Sequence, residues 1–282
     1  MFTTKSVKIK GSVVAITGGA RGIGLAIAKA LIAEGAKVSI GDIDVDLAGK
    51  AAADIGAYGC HLDVRERTSF ADFIQSTENA LGAVDIMINN AGIMPMGSFL
   101  NVDPDLSDAQ IDINLRGVIH GMQLTMPGML MRERGHIINI ASLAGLFAIP
   151  GAAVYSATKY AVVGLTETVA AEYRDSAVNF TTIMPTIVST ELSSGSTDAG
   201  AGIPNITPEI VAANVVNSIK QPKLHVTIPE YMEAAHSLYS LLPRWVTERG
   251  RRLFGDDRIL KKWDNNAHAD YSQRIASLTN NK

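Results

Sequence analysis

Tyr155 and Lys159 stand four residues apart in a stretch, Tyr155 to Tyr173, that has no proline and keeps Ala161, Leu165, Thr168 and Val169 near helical spacing. On a helix that separation puts both side chains on one face, one turn apart. A phenol ordinarily titrates at about pH 10, too high for a base at neutral pH. A neighbouring ammonium stabilises the phenolate and draws that value down. The pair is therefore a candidate acid/base, provided other polar groups converge on it, since a Tyr/Lys pair also arises by chance on helix surfaces.

A second candidate lies near the N-terminus, where Thr17-Gly18-Gly19-Ala20-Arg21-Gly22-Ile23-Gly24 joins a β-branched run to a helical pattern. At such a turn the backbone N–H groups and the helix dipole hold a pyrophosphate, and glycines let phosphate oxygens approach closely. The spacing is G-x-x-x-G-x-G, not G-x-G-x-x-G, and an ordinary tight turn is the competing reading. Asp42 follows Gly24 by 18 residues, near the offset of about 20 at which an acid hydrogen-bonds a ribose 2′-OH. Its carboxylate would repel a 2′-phosphate, favouring NAD over NADP. With Asp44 and Asp46 in the same loop, Asp42 reads equally as a turn or helix-cap residue. Arg21 pulls the other way, because a guanidinium turned inward would pair with a 2′-phosphate. Asp63 would accept from an adenine amine or cap a strand end. An oxidised nicotinamide beside Tyr155 would add a second positive charge to that of Lys159.

The elements that must position these groups alternate, as in βαβ units stacked on a parallel sheet. Strands are expected at Ser12–Thr17, Lys37–Asp42, Tyr58–Leu62, Val84–Asn89, Gly135–Ala141 and Asn179–Met184, the last stopped by Pro185. Helices are expected at Ile23–Glu34 with Gly35 as its stop, Leu47–Ile55, Asp108–Glu133 and Tyr155–Tyr173. Pro127 should kink or break the third of these. From 189 to 208 the composition turns to Ser, Gly, Thr and Pro, which predicts a mobile lid over the substrate. No repeat of 20 to 50 residues is present.

With 282 residues, the chain suits one α/β domain of roughly 250 residues plus an appendage. We place the dinucleotide-binding and catalytic domain at 1–230 and a helical C-terminal extension at 231–282. Hydrophobic residues at 47%, charged residues at 19% and a net charge of −3 permit a large core and exclude a disordered or collagen-like chain. A pI near 6.1 gives no basis for a nucleic-acid partner. Cys60 is the single cysteine, so no intrachain disulfide forms and a reducing compartment is expected. Met1 to Lys10 has no apolar stretch of signal-sequence length, and no run reaches the roughly 20 residues of a membrane span. These features predict a soluble, cytoplasmic protein. The histidines at 61, 120, 136, 225, 236 and 268 show no ligand spacing, so no metal site is expected. Met94 and Met96 could line a pocket or pack in the core. In the extension, Leu238, Tyr239, Leu241, Leu242, Trp245 and Val246 stand beside Arg244, Arg249, Arg251 and Arg252. Such a stripe packs on its own domain or a partner subunit, or rests on an anionic membrane surface.

Thr17-Gly-x-x-x-Gly-Ile-Gly24, Asn89-Asn90-Ala91-Gly92, Asn114, Ser142 and Tyr155-Ser-Ala-Thr-Lys159 together resemble the short-chain dehydrogenase/reductase family in order and spacing, from about Lys10 to Val226. The resemblance implies a single Rossmann-type, doubly wound parallel sheet of about seven strands with helices on both faces. It also implies a homodimer or homotetramer assembled through the Tyr155 helix. Tyr155 would then be the general acid/base, and Lys159 its tuner and a ligand of the nicotinamide ribose. Ser142 would hydrogen-bond the substrate oxygen, and Asn114 would hold a water linking Lys159 to solvent. Taken singly, Ser142 also reads as a turn cap and Asn114 as a polar helix residue.

Further cofactor contacts implied by the resemblance are Gly18, Arg21, Gly22, Ile23, Gly24, Asp42, Asp63, Val64, Asn90, Ala91, Gly92, Pro185, Ile187 and Thr190. Asn90 would mainly tie the fourth strand to its neighbour, and Thr190 would meet the nicotinamide carboxamide. The family usually has Pro-Gly where this chain has Pro185-Thr186. Threonine does not take positive φ as freely as glycine, so a different backbone course is expected there. The implied activity is hydride transfer between NAD(H) and a secondary alcohol or ketone. The extension resembles that of bacterial members and of relatives acting on lipophilic alcohols, which points to a bulky hydrophobic substrate. The alternatives are a dinucleotide-binding regulator without turnover and a sugar-nucleotide epimerase on a related fold, whose glycine motif differs.

Overall fold

Seven short runs form one parallel sheet in the computed structural model, which describes residues 6–194, 205–253 and 269–277. They are β1 (Val13–Thr17), β2 (Lys37–Asp42), β3 (Tyr58–His61), β4 (Ile86–Asn89), β5 (Gly135–Ile140), β6 (Val178–Pro185) and β7 (His225–Ile228). Their order is β3-β2-β1-β4-β5-β6-β7, and every neighbouring pair is parallel. This is the Rossmann-type α/β fold expected from the motifs.

Both faces of the sheet are covered, which is why its strands are apolar at successive positions instead of alternate ones. Val14, Ile16, Ile40, Ile86, Ile88 and Ile138 point into one layer, against Ile27 and Leu31 of α1 (Gly22–Ala33) and Val211, Val215 and Ile219 of α7 (Pro208–Lys220). Val13, Ala15, Met87 and Ile137 point into the other. There they meet α3 (Arg67–Leu81) through Phe70 and Phe73, α5 (Gly117–Met131) through Met122 and Met129, and α6 (Ala153–Glu172) through Val162 and Val163. The strand order reverses between β1 and β4, so a crevice opens beyond their carboxyl ends, where open α/β sheets bind ligands.

Three expectations are corrected. The helix expected at Asp108–Glu133 starts earlier, as α4 (Pro104–Ile111), because Asp103 caps it by accepting from the N–H of Asp105 at 2.8 Å and proline fits its first position. The chain then passes through a π-helical turn at Asp112–Arg116 into α5. The departure from α geometry thus falls at Asn114, while Pro127 lies inside the continuing α5. β6 extends one residue beyond the expected bounds at each end, with Pro185 as its last residue, in register with Ile228. Thr186 takes no positive φ; its N–H donates to the carbonyl of Ile228 at 2.8 Å, extending the pairing with β7.

Of the lid expected at 189–208, residues 195–204 lie outside the described ones. Glu191–Ser193 forms a 3₁₀ turn and Val188 bridges Ile206. After β7 come α2-sized elements: α8 (Tyr231–Leu241), α9 (Arg244–Leu253) and α10 (Ala269–Ser277), comparable in length to α2 (Val45–Ile55). Met232, Tyr271 and Ile275 are buried in the α3–α5–α6 layer. In the apolar stripe, Tyr239 packs edge-on against Phe147 at 5.6 Å, whereas Leu238, Leu241 and Trp245 are exposed. The side chains of Arg244, Arg251 and Arg252 lie outside the described ones. Among the described residues no helix is long and apolar enough to cross a membrane.

Candidate active site

The glycine turn runs from the end of β1 into α1, where four helix N–H groups lack helical partners and the dipole is positive. Gly18 has φ +62°, and a Cβ there would lie 3.0 Å from Cα of Ala91. A Cβ on Gly24 would lie 2.2 Å from the carbonyl oxygen of Gly18. The turn therefore closes on the chain after β4 in a way only glycine permits, and leaves a backbone-lined cradle that fits a pyrophosphate. Asn90 fixes the two strands to each other. Its amide donates to the carbonyls of Thr17 and Gly18 at 2.9 and 3.0 Å, and its N–H donates to the Thr17 hydroxyl at 2.9 Å.

Asp42 ends β2 as a buried carboxylate beside the turn, accepting from the N–H groups of Ala20 at 3.2 Å and Asp44 at 3.3 Å. Asp44, not Asp42, caps α2, through the N–H of Leu47 at 3.0 Å. Arg21 is turned toward Asp44 at 3.1 Å and Glu191 at 3.7 Å. Asp63 is held by Arg65, whose Nε lies 2.9 Å from one carboxylate oxygen and whose terminal nitrogen lies 2.6 Å from the other. Burial raises the Asp63 pKa, but these hydrogen bonds and the guanidinium charge outweigh it and keep the group below the usual carboxylate range.

At the far end of the crevice Tyr155 and Lys159 share one face of α6, both buried. Lys159 Nζ lies 5.6 Å from the centre of the Tyr155 ring and donates to the carbonyl of Ile140 at 2.8 Å. Ser142, two residues past β5, caps the following 3₁₀ turn by accepting from the N–H of Ala144 at 3.1 Å, and its hydroxyl lies 3.5 Å from the carbonyl oxygen of Pro185. The turn-cap reading of Ser142 is thus observed. Asn114 is buried in the π-helical turn, a distortion frequent at functional sites. Its amide grips Ile93 from both sides, accepting from the N–H at 2.8 Å and donating to the carbonyl at 2.9 Å. That holds the strand-end loop Asn90–Ile93 against α6, and a Cβ on Gly92 would lie 3.8 Å from Lys159 Nζ.

The electrostatics differ from the simple expectation of a lowered phenol pKa. Burial pushes Tyr155 up to about 12, only partly offset by the hydrogen bond from Ser142, and burial brings Lys159 down to about 8. Burial therefore favours the neutral phenol. Positive charge beside the ring acts in the opposite direction.

Met94 and Met96 pack with Ile149, Ala144 and Ala152 around Tyr155, so they line the catalytic end rather than the deep core. Ile187 and Thr190 border a cavity of about 470 Å³ with Ser189, Glu191, Ser193, Ser194 and Asn205. Thr190 faces Gly22, whose hypothetical Cβ would lie 3.5 Å from the Thr190 methyl. Val64, after β3, packs against Gly117 and accepts from His120 Nδ1 at its carbonyl, 3.1 Å away. His136 is buried in β5 against the Thr181 hydroxyl at 2.8 Å, and burial lowers its pKa to about 3. Among the described residues no three His, Cys, Asp or Glu side chains are grouped to hold a metal.

Glu191, Tyr271 and Arg274 also reach this site and were not among the expected residues. Tyr271 accepts from the N–H of Met94 at 2.8 Å, and Arg274 pairs with Glu191. The available signal was the spacing of Tyr271, Arg274 and Ile275 at i, i+3 and i+4, which marks one helix face.

The family profile described as short chain dehydrogenase matches residues 12–200. The chain belongs to the short-chain dehydrogenase/reductase family. It is an oxidoreductase of that family, acting on alcohols. A 2-(S)-hydroxypropyl-CoM dehydrogenase of Xanthobacter autotrophicus is 39% identical over 191 residues, 66% of this chain and 75% of its own. A 3-alpha-(or 20-beta)-hydroxysteroid dehydrogenase of Mycobacterium bovis is 33% identical over 251 residues, 87% of this chain and 91% of its own. A glycine betaine reductase of Emericella nidulans is 32% identical over 237 residues, and this chain spans 19% of its length. Among solved structures, a short-chain dehydrogenase/reductase from Burkholderia phymatum in complex with NAD shares the fold. It aligns with a TM-score of 0.76 at 24% identity, over 83% of this chain and 94% of its own.

Proposed function

We propose that this short-chain dehydrogenase/reductase moves hydride between NAD(H) and a secondary alcohol or ketone carrying a bulky apolar group, with Tyr155 as the general acid/base. The observation that carries the reading is the buried Tyr155 phenol with Lys159 Nζ 5.6 Å from its ring centre on one face of α6, in the crevice whose other end is the glycine cradle. The dinucleotide would be held by the turn Gly18–Gly24, by Asp42 and Val64 on the adenosine side, by Asn90, Ala91 and Gly92, and by Lys159, Pro185, Ile187 and Thr190 toward the nicotinamide. When bound, it supplies the hydride acceptor in one direction and the donor in the other.

Tyr155 takes the alcohol proton at its phenolate oxygen in oxidation, and gives the phenol proton to the carbonyl oxygen in reduction. Ser142 orients that oxygen. Lys159 as the ammonium favours phenolate, and Asn114 keeps the Gly92–Ile93 chain beside it, where a water could pass the proton on. Asp42 favours NAD, and Arg21 supports the same preference because it is engaged by Asp44 and Glu191. Met94, Met96 and Ile149 give the substrate end an apolar lining. The same reading makes the protein a cytoplasmic homo-oligomer associating through α6, whose Tyr160 is 44% exposed.

The test is nicotinamide absorbance against time with NAD or NADP and a panel of aliphatic, steroid, retinoid and polyol alcohols. Turnover with NAD on the apolar alcohols, lost in Tyr155→Phe, is the expected result. Tight NAD binding without turnover on any alcohol would favour a dinucleotide-binding regulator. Faster turnover with NADP, or equal turnover of polyols, would overturn the cofactor or substrate assignment.

A further inference from the structure

The segment that follows β6 reaches back over the sheet. Thr190 comes soon after the end of β6, yet its methyl would lie 3.5 Å from a Cβ on Gly22, at the start of α1. Between β6 and β1 stand β5 and β4, all parallel. Residues 188–193 therefore cross the carboxyl ends of both intervening strands to meet the glycine turn, along the line where ligands of open α/β sheets lie. The crossing segment is braced internally: Ser189 donates its N–H to the carbonyl of Ile206 at 2.8 Å, and the Ser193 hydroxyl accepts from the N–H of Thr190 at 3.3 Å.

Glu191 fastens this segment to its surroundings on two sides. Its carboxylate lies 3.7 Å from Arg21 of the glycine turn and pairs with Arg274 of α10. Arg21 is itself held by Asp44 at 3.1 Å, and α10 is rooted in the core by Tyr271 and Ile275, each 2% exposed. One carboxylate thus spans two arginines that stand on fixed elements. All three side chains are partly exposed, and pairs of that kind contribute little stability. Such a tie opens at low cost, which a close-packed contact does not.

We infer that Glu191 is a positioning residue for the dinucleotide: by joining Arg21 to Arg274 it holds residues 188–193 as a clasp across the crevice, over the pyrophosphate, and sets the rate at which bound cofactor leaves. A dinucleotide extending from Asp42 to Tyr155 passes beneath this clasp, so entry and exit require the Arg21–Glu191 contact to part. Glu191 touches no reacting atom and acts through Thr190 and Arg21. Weak pairs suit that role, because a much stronger tie would trap the cofactor. The inference rests on the glycine turn holding the dinucleotide.

The experiment measures NADH release by stopped-flow fluorescence, with excess NAD as the displacing ligand. It compares wild type, Glu191→Gln, Glu191→Asp, Arg274→Gln and the double variant Glu191→Gln/Arg274→Gln. Glu191→Gln should speed release about threefold to tenfold, the range open to two weak pairs sharing one anion. Arg274→Gln should speed it less, because Arg21 still faces the carboxylate, and the double variant should match Glu191→Gln. Glu191→Asp keeps the charge and should lie nearer wild type. At about 1 M NaCl the wild-type and Glu191→Gln rates should converge, since salt screens exposed charges, whereas a difference caused by packing would persist. A release rate unchanged in Glu191→Gln, a double variant in which the two effects add, or a difference that survives high salt would overturn the inference. A wild type that binds neither NADH nor NADPH would sink the dinucleotide reading itself, an outcome recognised before any variant is compared.

Discussion

Around the glycine turn, main chain meets main chain. Asn90 ties the ends of β1 and β4 together, and Gly18 and Gly24 close the turn to contact distance. A second region is assembled from pieces far apart in sequence: Met94, the 3₁₀ turn at Glu191–Ser193, and α10, joined by side-chain hydrogen bonds and partly exposed charges. Backbone packing of the first kind tolerates almost no change in volume, whereas the second can be altered one side chain at a time. Close backbone contacts are concentrated at the glycine turn proposed to hold the dinucleotide, and side-chain contacts around Met94.

Four measurements would break or sharpen this contrast. The largest effect should come between the two regions, at Tyr155. Below the pKa of the base, alcohol oxidation should rise about tenfold per pH unit, because burial holds the phenol protonated. Ketone reduction uses the phenol and should gain nothing from the same change, so pH profiles in both directions check the sign. At the glycine turn, Gly24→Ala forces a Cβ to 2.2 Å from a carbonyl oxygen. It should cost about 1–3 kcal/mol of stability and weaken NAD binding, as read by calorimetric Tm and dinucleotide titration. A Tm equal to wild type would remove the claim that this region is rigid.

Asp42→Asn should narrow the NAD-over-NADP preference by about tenfold, equivalent to about 1.4 kcal/mol, measured as the ratio of the two Kd values. A preference unchanged by the substitution would show that Asp42 serves the turn alone. The smallest effect belongs to the second region, where Glu191→Gln removes the anion shared by Arg21 and Arg274. Stability should fall by no more than about 1 kcal/mol, with Tm changing by only a few degrees. A loss as large as that of Gly24→Ala would erase the difference between the regions.

Much of the candidate site was legible in the residues because its determinants are local. Tyr155 and Lys159 are related by one helical turn, the glycine turn by a few peptide units, and the strands β1, β2 and β5 by short runs rich in Val and Ile. Even the Asp63–Arg65 contact, two residues apart, lay within reach of a local reading. The helix at Asp108–Glu133 was misjudged because a Pro127 invites a break, whereas the actual distortion is the π turn that places Asn114 against Ile93. Helix propensity carries no information about that partner.

The amino-acid sequence by itself thus determined the family, the sheet with its covering helices, and the set of polar residues gathered in the crevice, since each follows from periodicity or short motifs. Only the tertiary structure decided that Arg21 is turned toward Asp44 and Glu191, that burial raises the Tyr155 pKa and lowers that of Lys159, and that Tyr271 closes on Met94 across 177 residues of chain. Desolvation and long-range contact are properties of the packed whole: they depend on what surrounds a group in space, and no local stretch of residues contains that neighbour.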